Sequence, residues 1–296
     1  MIKREKIIAA LKEYKADPEL IEAIANIYQD DFTNLQINEE IEQLLPVTSG
    51  IKQGCTGSTA LFKLITYMII RELEESKTGF KSEKFSLGSL FFADDGLILA
   101  QSVNEAKECV KNITRISAKY GLDINTEKSE IMTINIKEGP NEIEGIKVVE
   151  NIKYLGIKVN SGRQIFRKQK EDLFEKAQKL ANTTYSIIAK SCNRLLIGKT
   201  YWKCLSLPAF LYGTSLINFT EKEIERLQRI ENGVYRQILQ APTYAPVCTL
   251  RGEIGSSSMK SRLIKDRFMY LRSVMEGEND LLKEIVREMI HEDSSK

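Results

Sequence analysis

Apolar residues recur at helical spacing near the start of the chain and again after residue 50. Asp17 and Pro18 open one of these helices, because aspartate is a good N-cap and proline fits the first helical turn. Between the helical regions, residues 32–37 predict a short strand. The helical positions are Ile7, Ile8, Leu11, Leu20, Ile21, Ile24, Ile27, Tyr28, Leu61, Phe62, Leu64, Ile65, Met68, Ile69 and Leu73.

Two apolar runs enclose a pair of carboxylates in the stretch from residue 90 to residue 99. Aromatic and branched residues favour strands, and Asp-Gly favours a tight reversal, so this stretch predicts a β-hairpin. Asp94 and Asp95 are expected at its tip, followed by Gly96. A purely structural interpretation stays open, since aspartate and glycine also dominate ordinary turns.

A helix and further strands follow the hairpin. Ser102 and Glu105 have the spacing of a capping box, and Gly121 is a suitable C-terminal stop. Strands are predicted at 131–136 and around 152–157. The order strand, turn, strand, helix, strand is that of half a split βαβ unit, so the fold class is α/β in the α+β sense.

The pattern becomes all-helical from about Arg163, which places a domain boundary near residues 160–163. Thr220 and Glu223 form a second capping-box pattern, and residues 256–274 predict one more helix. We therefore expect three parts, residues 1–160 with mixed α/β structure, residues 161–275 with helices alone, and a polar tail at 276–296.

Basic side chains outnumber acidic ones at the start of the helical part. The basic residues of this group are Arg163, Arg167, Lys168, Lys170, Lys176, Lys179, Lys190, Arg194, Lys199 and Lys203. A basic helical face suits contact with a nucleic-acid backbone. A solvated surface face is an equally good explanation of the same pattern.

Composition narrows the function classes without selecting one. The chain has 296 residues, 42% hydrophobic and 28% charged, with a formal net charge of only +2. Five scattered cysteines favour a reducing compartment, and a single histidine, His291, leaves carboxylates as the candidate ligands for a catalytic metal. The sequence contains neither an apolar signal core nor a membrane-spanning run, so we expect a soluble, intracellular protein with no membrane partner.

A glycine-rich segment, residues 50–58, leads directly into the long apolar helix. Glycines let the backbone approach a ligand closely, and a helix N-terminus favours anions. An ordinary flexible loop remains the alternative. The spacing of the glycines matches neither a P-loop nor a Rossmann fingerprint.

Gly50-Ile51-Lys52-Gln53-Gly54-Cys55, followed by Phe92-Ala93-Asp94-Asp95, resembles the reverse transcriptases of non-LTR (LINE-type) retrotransposons. The resemblance implies that Asp94 and Asp95 are catalytic metal ligands. It also implies nucleotide or template contacts by Gln53, Gly54, Ser58, Phe92, Ala93 and Lys128. The chain departs from the family pattern at Thr56-Gly57-Ser58-Thr59, where Pro-Leu-Ser-Pro is usual, and at Lys63, where asparagine is usual.

Two later regions carry the same resemblance. Residues 152–157 are similar to the family's primer-grip hairpin, which implies that Tyr154, Leu155 and Gly156 hold the primer. The helical part is similar to the family's thumb and connection. The resemblance therefore implies a partial right-hand polymerase, with a palm from its second half and a helical thumb.

The implied activity is RNA-directed DNA polymerisation by two-metal nucleotidyl transfer, with Mg²⁺ or Mn²⁺. The implied partners are an RNA template, a DNA primer and deoxynucleoside triphosphates. The family uses a third aspartate on an earlier strand, and residues 2–6 resemble the segment that follows it. We therefore expect a truncated chain with weak metal binding and weak or no activity. The alternatives are a non-catalytic nucleic-acid-binding remnant and an unrelated helical interaction protein.

Overall fold

The computed structural model describes residues 2–29, 31–37, 40–47, 49–52, 54–76, 78–82, 84–136 and 139–294. Its contacts divide the chain into two units, Met1–Leu155 and Gly156–Lys296. The first unit combines helices with short strands and the second is mostly helical, which confirms a mixed α+β class. None of the helices in the described ranges is both long and apolar enough to cross a membrane.

Four helices and ten strands make up the first unit as described. The helices are α1 (Arg4–Glu13), α2 (Pro18–Tyr28), α3 (Thr56–Glu75) and α4 (Val103–Lys119). The strands are β1 (Phe32–Ile37), β2 (Glu40–Pro46), β3 (Phe80–Lys81), β4 (Ser86–Leu87), β5 (Ser89–Phe92), β6 (Asp95–Ile98), β7 (Glu130–Ile131), β8 (Glu142–Ile143), β9 (Ile146–Val148) and β10 (Asn151–Tyr154).

The strands of the first unit form small ladders. β1–β2, β3–β4 and β5–β6 are antiparallel pairs, and β9 lies between β7, which is parallel to it, and antiparallel β8. Within the described ranges, β5 and β6 pair only with each other. The strand predicted at 131–136 is shorter than expected, because only Glu130–Ile131 pairs and the backbone turns with positive φ at Asn135.

Helices supply the core of the first unit. Ile65 and Met68 of α3 and Ile116 of α4 are almost fully buried, together with Ile7 and Ala10 of α1. Ile65 and Met68, like Ile7 and Ala10, are three residues apart, which places each pair on one face of its helix. The predicted start of α2 is confirmed, since the Asp17 side chain accepts a hydrogen bond from the Glu19 amide at 2.8 Å.

The capping box predicted at α4 forms only in part. Ser102 accepts from the Glu105 amide at 3.2 Å, as expected. The Glu105 carboxylate, however, accepts from the Gly79 and Gln101 amides, each at 2.7 Å. These two backbone donors hold the pKa of Glu105 below its ordinary value. Glu105 therefore ties α4 to the β3–β4 region, 26 residues away at Gly79.

The second unit begins with β11 (Ile157–Asn160). Its helices are α5 (Arg167–Ala189), α6 (Arg194–Tyr201), α7 (Leu207–Leu211), α8 (Glu221–Leu239), α9 (Val247–Ile254), α10 (Met259–Glu276) and α11 (Asp280–Ser294). A π-helical turn, Trp202–Ser206, joins α6 to α7. The capping box predicted at Thr220 is complete and opens α8.

One apolar core joins α5, the π-helical turn, α7, α8, α9 and α10. Ala177, Trp202, Val234, Tyr235 and Met259 are fully buried in it. The last helix, α11, lies in the segment predicted to be a polar tail. Apolar residues recur there at helical spacing, at Leu281, Leu282, Ile285, Val286 and Met289, which explains the helix.

Candidate active site

The hairpin predicted around the two aspartates is present as β5 and β6. Its register pairs Ser89 with Ile98 and Phe92 with Asp95, which leaves Ala93 and Asp94 as a two-residue loop. Asp94 therefore lies in the turn and Asp95 is the first residue of β6. Ala93 has φ = 55°, a left-handed conformation that costs a non-glycine residue about 1–2 kcal/mol.

Gly96 fixes how this hairpin sits on the core. A β-carbon at Gly96 would lie 2.6 Å from a ring carbon of Phe91, its cross-strand partner. The Phe91 ring occupies that space and packs against the core of the first unit. Phe92 is 64% exposed on the alternate position of the strand. The hairpin is thus anchored by Phe91, while Phe92 and both carboxylates face solvent.

Tyr154, predicted for the primer grip, lies beside the carboxylate hairpin. Its hydroxyl donates to the Leu90 carbonyl at 3.5 Å. Burial and then the negative charge of Asp95 raise the pKa of the Tyr154 hydroxyl. The next two residues, Leu155 and Gly156, have φ of 48° and 82° and form the turn to β11. Positive φ at both central residues is typical of a type I′ hairpin turn.

The donor chemistry of the hairpin fits a hard divalent cation. Asp94 and Asp95 provide adjacent, exposed carboxylates, and Mg²⁺ is commonly bound through one or two carboxylates together with substrate phosphates and water. The described ranges contain no cluster of three or more His, Cys, Asp or Glu side chains suited to a metal.

In and after the glycine-rich loop, the backbone of Gly54 is accessible, whereas the side chain of Ser58 is buried. Gly54 has φ = 84° and nothing within 4 Å of a built β-carbon, so its backbone is accessible. Ser58 is only 5% exposed, and its hydroxyl lies 3.3 Å from the Tyr28 hydroxyl. Gln53 lies outside the described residues. At the start of α3, the Ser58 and Gly57 amides lower the pKa of the Cys55 thiol.

Lys128 is exposed in a turn that Asn125 organises. The Asn125 side-chain oxygen accepts from the Lys128 amide at 3.0 Å. The Lys128 side chain forms no ion pair within the part of the chain that the structure describes.

The basic residues predicted to contact nucleic acid are largely engaged within the protein. Arg167 and Lys168 each approach Glu171 to 3.3 Å. Lys170 binds Glu223 of α8 at 2.9 Å and lies 5.5 Å from the centre of the Phe219 ring. Arg163 is exposed. Neutralised cations attract phosphate weakly, so the start of α5 is less electropositive than its sequence indicates.

A second basic cluster lies at the C-terminal end of α9 and contains Lys199 and Lys203, two members of the predicted basic group. A β-carbon at Gly255 would lie 3.9 Å from Lys203 Nζ and 4.0 Å from Lys199 Nζ. Lys203 Nζ donates to the Ile254 and Gly255 carbonyls at 2.9 and 2.7 Å. Desolvation and the neighbouring charges of Lys199 and Arg262 lower the pKa of Lys203. The i, i+4 lysine spacing was the available sequence signal.

An apolar cavity of about 400 Å³ lies between α1, α2 and the start of α3. Leu11, Ile24, Tyr28, Cys55 and Leu64 are among its lining residues. Walls of this kind do not match a triphosphate, which requires cations and hydrogen-bond donors. The cavity therefore does not compete with the hairpin as a nucleotide site.

Residues 1–159 match the family model described as "Reverse transcriptase (RNA-dependent DNA polymerase)". The matched segment contains the aspartate hairpin, the glycine-rich loop and the turn at Tyr154-Leu155-Gly156. It ends before the helices of the second unit.

Curated relatives extend the similarity beyond residue 159. The chain is 24% identical over 219 residues to a retrovirus-related Pol polyprotein from type-1 retrotransposable element R2 of Bradysia coprophila, covering 66% of this chain and 25% of that protein. The corresponding R2 polyprotein of Nasonia vitripennis is 25% identical over 175 residues, covering 54% of this chain and 17% of that protein. The type-2 element R2DM polyprotein of Drosophila melanogaster is 25% identical over 190 residues, covering 59% and 18%.

The chain thus spans about a quarter or less of the length of these three relatives. The family model covers more than half of the chain and includes the hairpin with both aspartates. This match excludes the interpretation as an unrelated helical interaction protein. The chain belongs to the reverse transcriptase family, whose activity is RNA-directed DNA polymerisation.

Proposed function

We propose that this chain is the part of a non-LTR retrotransposon reverse transcriptase that carries the metal-binding hairpin and the helices after it. Its substrates are an RNA template, a DNA primer and deoxynucleoside triphosphates. The observation that carries the proposal is the β5–β6 hairpin, which presents Asp94 and Asp95 to solvent beside Tyr154. In this proposal, residues 1–160 form a partial palm, residues 161–275 form the helical thumb and connection, and residues 276–296 are a C-terminal tail.

Asp94 and Asp95 hold the catalytic Mg²⁺ in this proposal, with Mn²⁺ as a substitute. A divalent cation held by these two carboxylates would supply Lewis-acid activation of the primer 3′-hydroxyl and charge stabilisation of the triphosphate leaving group. Two carboxylates alone bind the metal weakly. The affinity for the metal rises when the phosphates of a bound nucleotide contribute further oxygen ligands. Phe92 and Ala93, next to the carboxylates, contact the nucleotide or template, and the left-handed backbone at Ala93 shapes the turn that contains Asp94.

The remaining roles belong to the neighbouring segments. Gly54 contacts the nucleotide or template through its exposed backbone, the neighbouring Gln53 is assigned to the same contact by resemblance alone, and Lys128 attracts the triphosphate. The turn Tyr154-Leu155-Gly156 positions the primer strand. Ser58 contributes through its contact with Tyr28 rather than by touching substrate, because its side chain is buried.

Primer extension on poly(rA)/oligo(dT) with Mg²⁺ or Mn²⁺ tests this function. We expect weak extension that is lost in the Asp94→Asn/Asp95→Asn variant, because the hard ligands are removed while the side-chain shape is kept. Glu108→Gln, an exposed carboxylate on α4, is the matched control and leaves extension unchanged. Extension that persists in the double variant contradicts the proposed metal site.

A second candidate, nucleic-acid binding without catalysis, is favoured by the Lys199 and Lys203 cluster. Each unneutralised lysine that contacts a phosphate contributes about 0.7–0.9 to the slope of log affinity against log salt concentration. Lys199→Gln is expected to lower that slope by roughly this amount for a primer–template duplex. The control is Lys168→Gln, because Lys168 is already paired with Glu171. Equal salt slopes in the Lys199→Gln and Lys168→Gln variants would show that the Lys199 and Lys203 cluster does not contact the nucleic acid.

A further inference from the structure

Asp31 lies between two cations next to the glycine-rich loop, residues 50–55. Its Oδ2 accepts from Arg4 Nη2 at 2.6 Å, and its Oδ1 lies 3.3 Å from Lys52 Nζ. The Asp31 side chain is 16% exposed and that of Lys52 is 40% exposed. Partial burial raises the pKa of the Asp31 carboxyl, but Lys52 and Arg4 outweigh that effect and hold it below its ordinary value. The carboxylate is therefore charged at neutral pH.

Tyr28 connects the same cluster to the far side of the loop. The Arg4 guanidinium lies 5.0 Å from the centre of the Tyr28 ring, and Lys52 Nζ lies 5.9 Å from it. Arg4 Nη1 also donates to the Tyr28 carbonyl at 2.8 Å. At its other end, the Tyr28 hydroxyl contacts Ser58 in the first turn of α3. Tyr28 thus contacts residues before and after the open backbone at Gly54.

The loop needs such an anchor because of its glycines. Gly50 and Gly54 both have positive φ, and glycine loses more backbone entropy on ordering than any other residue. The Gly50 amide donates to the Ile2 carbonyl at 2.7 Å, and the Cys55 amide donates to the Lys52 carbonyl at 3.3 Å. Lys52 is the charged side chain between the two glycines, and Asp31 is its carboxylate partner.

We propose that Asp31 is a positioning residue for the glycine-rich loop, acting through Lys52 with Arg4 and Tyr28 as its support. The ion pair with Asp31 keeps the Lys52 side chain near the Tyr28 ring. This contact fixes the position of the loop backbone at Gly54. Its effect on nucleotide use rests on the proposed polymerase function, but its effect on the loop does not. Asp31 touches no reacting group in this scheme.

Hydrogen–deuterium exchange of the ligand-free protein tests the positioning role. Read at the Gly50 and Cys55 amides, exchange is expected to be about fivefold faster in Asp31→Asn and in Lys52→Met, the upper range for one partly exposed pair. Asp31→Glu, which keeps the charge, retains most of the protection. In the Lys52→Met background, Asp31→Asn adds no further change. An equal effect in both backgrounds, or no effect at all, overturns the proposal.

Glu72→Gln is the matched control for these variants. Glu72 is 17% exposed and binds Lys119 at 2.5 Å, so its burial and partner resemble those of Asp31, but it lies near the opposite end of α3. Its substitution changes global stability and leaves exchange at Gly50 and Cys55 as in the wild type. Faster exchange at these amides in Glu72→Gln would show that any lost ion pair loosens the loop and would overturn the specific role of Asp31.

Steady-state kinetics separate the loop from the polymerase function. Where the wild type extends a primer, Asp31→Asn is expected to raise KM for dTTP about fivefold with kcat unchanged, because it removes positioning in the ground state as well as the transition state. An unchanged KM with a loosened loop overturns the link to nucleotide use. A wild type that does not extend refutes activity of this chain, and the exchange data then decide the positioning role alone.

Discussion

Replacing Glu231 with glutamine is expected to destabilise the second unit by about 3–5 kcal/mol, the cost of breaking a buried ion pair from one side. Glu231 is fully buried on α8. Its Oε1 accepts from Arg262 Nη1 at 2.9 Å and from the Tyr235 hydroxyl at 2.6 Å, with Trp202 Nε1 at 3.5 Å. Its Oε2 accepts from Gln228 Nε2 at 3.2 Å.

The size of the loss comes mainly from Arg262. Its side chain is 16% exposed, and burial opposes its charge, yet Glu231 holds its pKa above the ordinary value. A glutamine at position 231 leaves this guanidinium without a counter-charge and turns an N–H₂ group towards other donors. Burial and the Glu231 charge also raise the pKa of Tyr235, so this hydroxyl stays protonated and keeps donating.

Urea unfolding followed by the fluorescence of Trp202, the single tryptophan, measures this loss where it occurs. The matched control is Glu225→Gln on the same helix, where the carboxylate is 63% exposed and paired with Arg229. Its cost is expected to stay below about 0.5 kcal/mol. Glu231→Leu/Arg262→Met removes both charges together and is expected to recover most of the loss. A Glu231→Gln loss under about 1 kcal/mol, or one equal to that of Glu225→Gln, would refute this reasoning.

Two further predictions concern the first unit. Gly96→Ala places a methyl group against the Phe91 ring and is expected to cost about 1–3 kcal/mol by urea unfolding. Gly57→Ala in α3, where the added β-carbon would lie at an ordinary contact distance of 3.8 Å from Cys55 Sγ, serves as its control and stays within about 1 kcal/mol of the wild type. Burial and the bond to Glu72 raise the pKa of Tyr120 to about 12, so the folded state stays protonated while the unfolded state ionises above pH 10. Stability is therefore expected to fall between pH 10 and 12, and Tyr120→Phe removes that part of the fall; identical pH profiles would contradict the assignment.

Local sequence rules were sufficient for many elements. The caps at Asp17 and Thr220 depend on residues within one turn of the helix they start, and both are present. The aspartate hairpin follows from apolar strands around a short polar turn. The sequence also marked Gly121, which has φ = 76° after α4. Each of these features is decided by neighbours in the chain, where periodicity and turn chemistry act.

Side-chain partners distant in the sequence escaped the same rules. Lys170 was assigned to nucleic-acid contact because it lies in a basic run, but Glu223, 53 residues later, binds it. Ser58 was assigned to substrate and is buried against Tyr28, 30 residues earlier. No local pattern predicts the role proposed for Asp31, which rests on its contacts with Arg4 and Lys52, 27 and 21 residues away.

The sequence by itself determined the family, the positions of the two carboxylates and most helices, because these depend on short motifs and on the spacing of apolar residues. The tertiary structure decided which charges remain free for a ligand and which are neutralised. It also decided which hydroxyls are buried and which residues hold the glycine-rich loop. These properties depend on distances between segments far apart in the chain, and electrostatic and hydrogen-bond energies change steeply over a few ångströms.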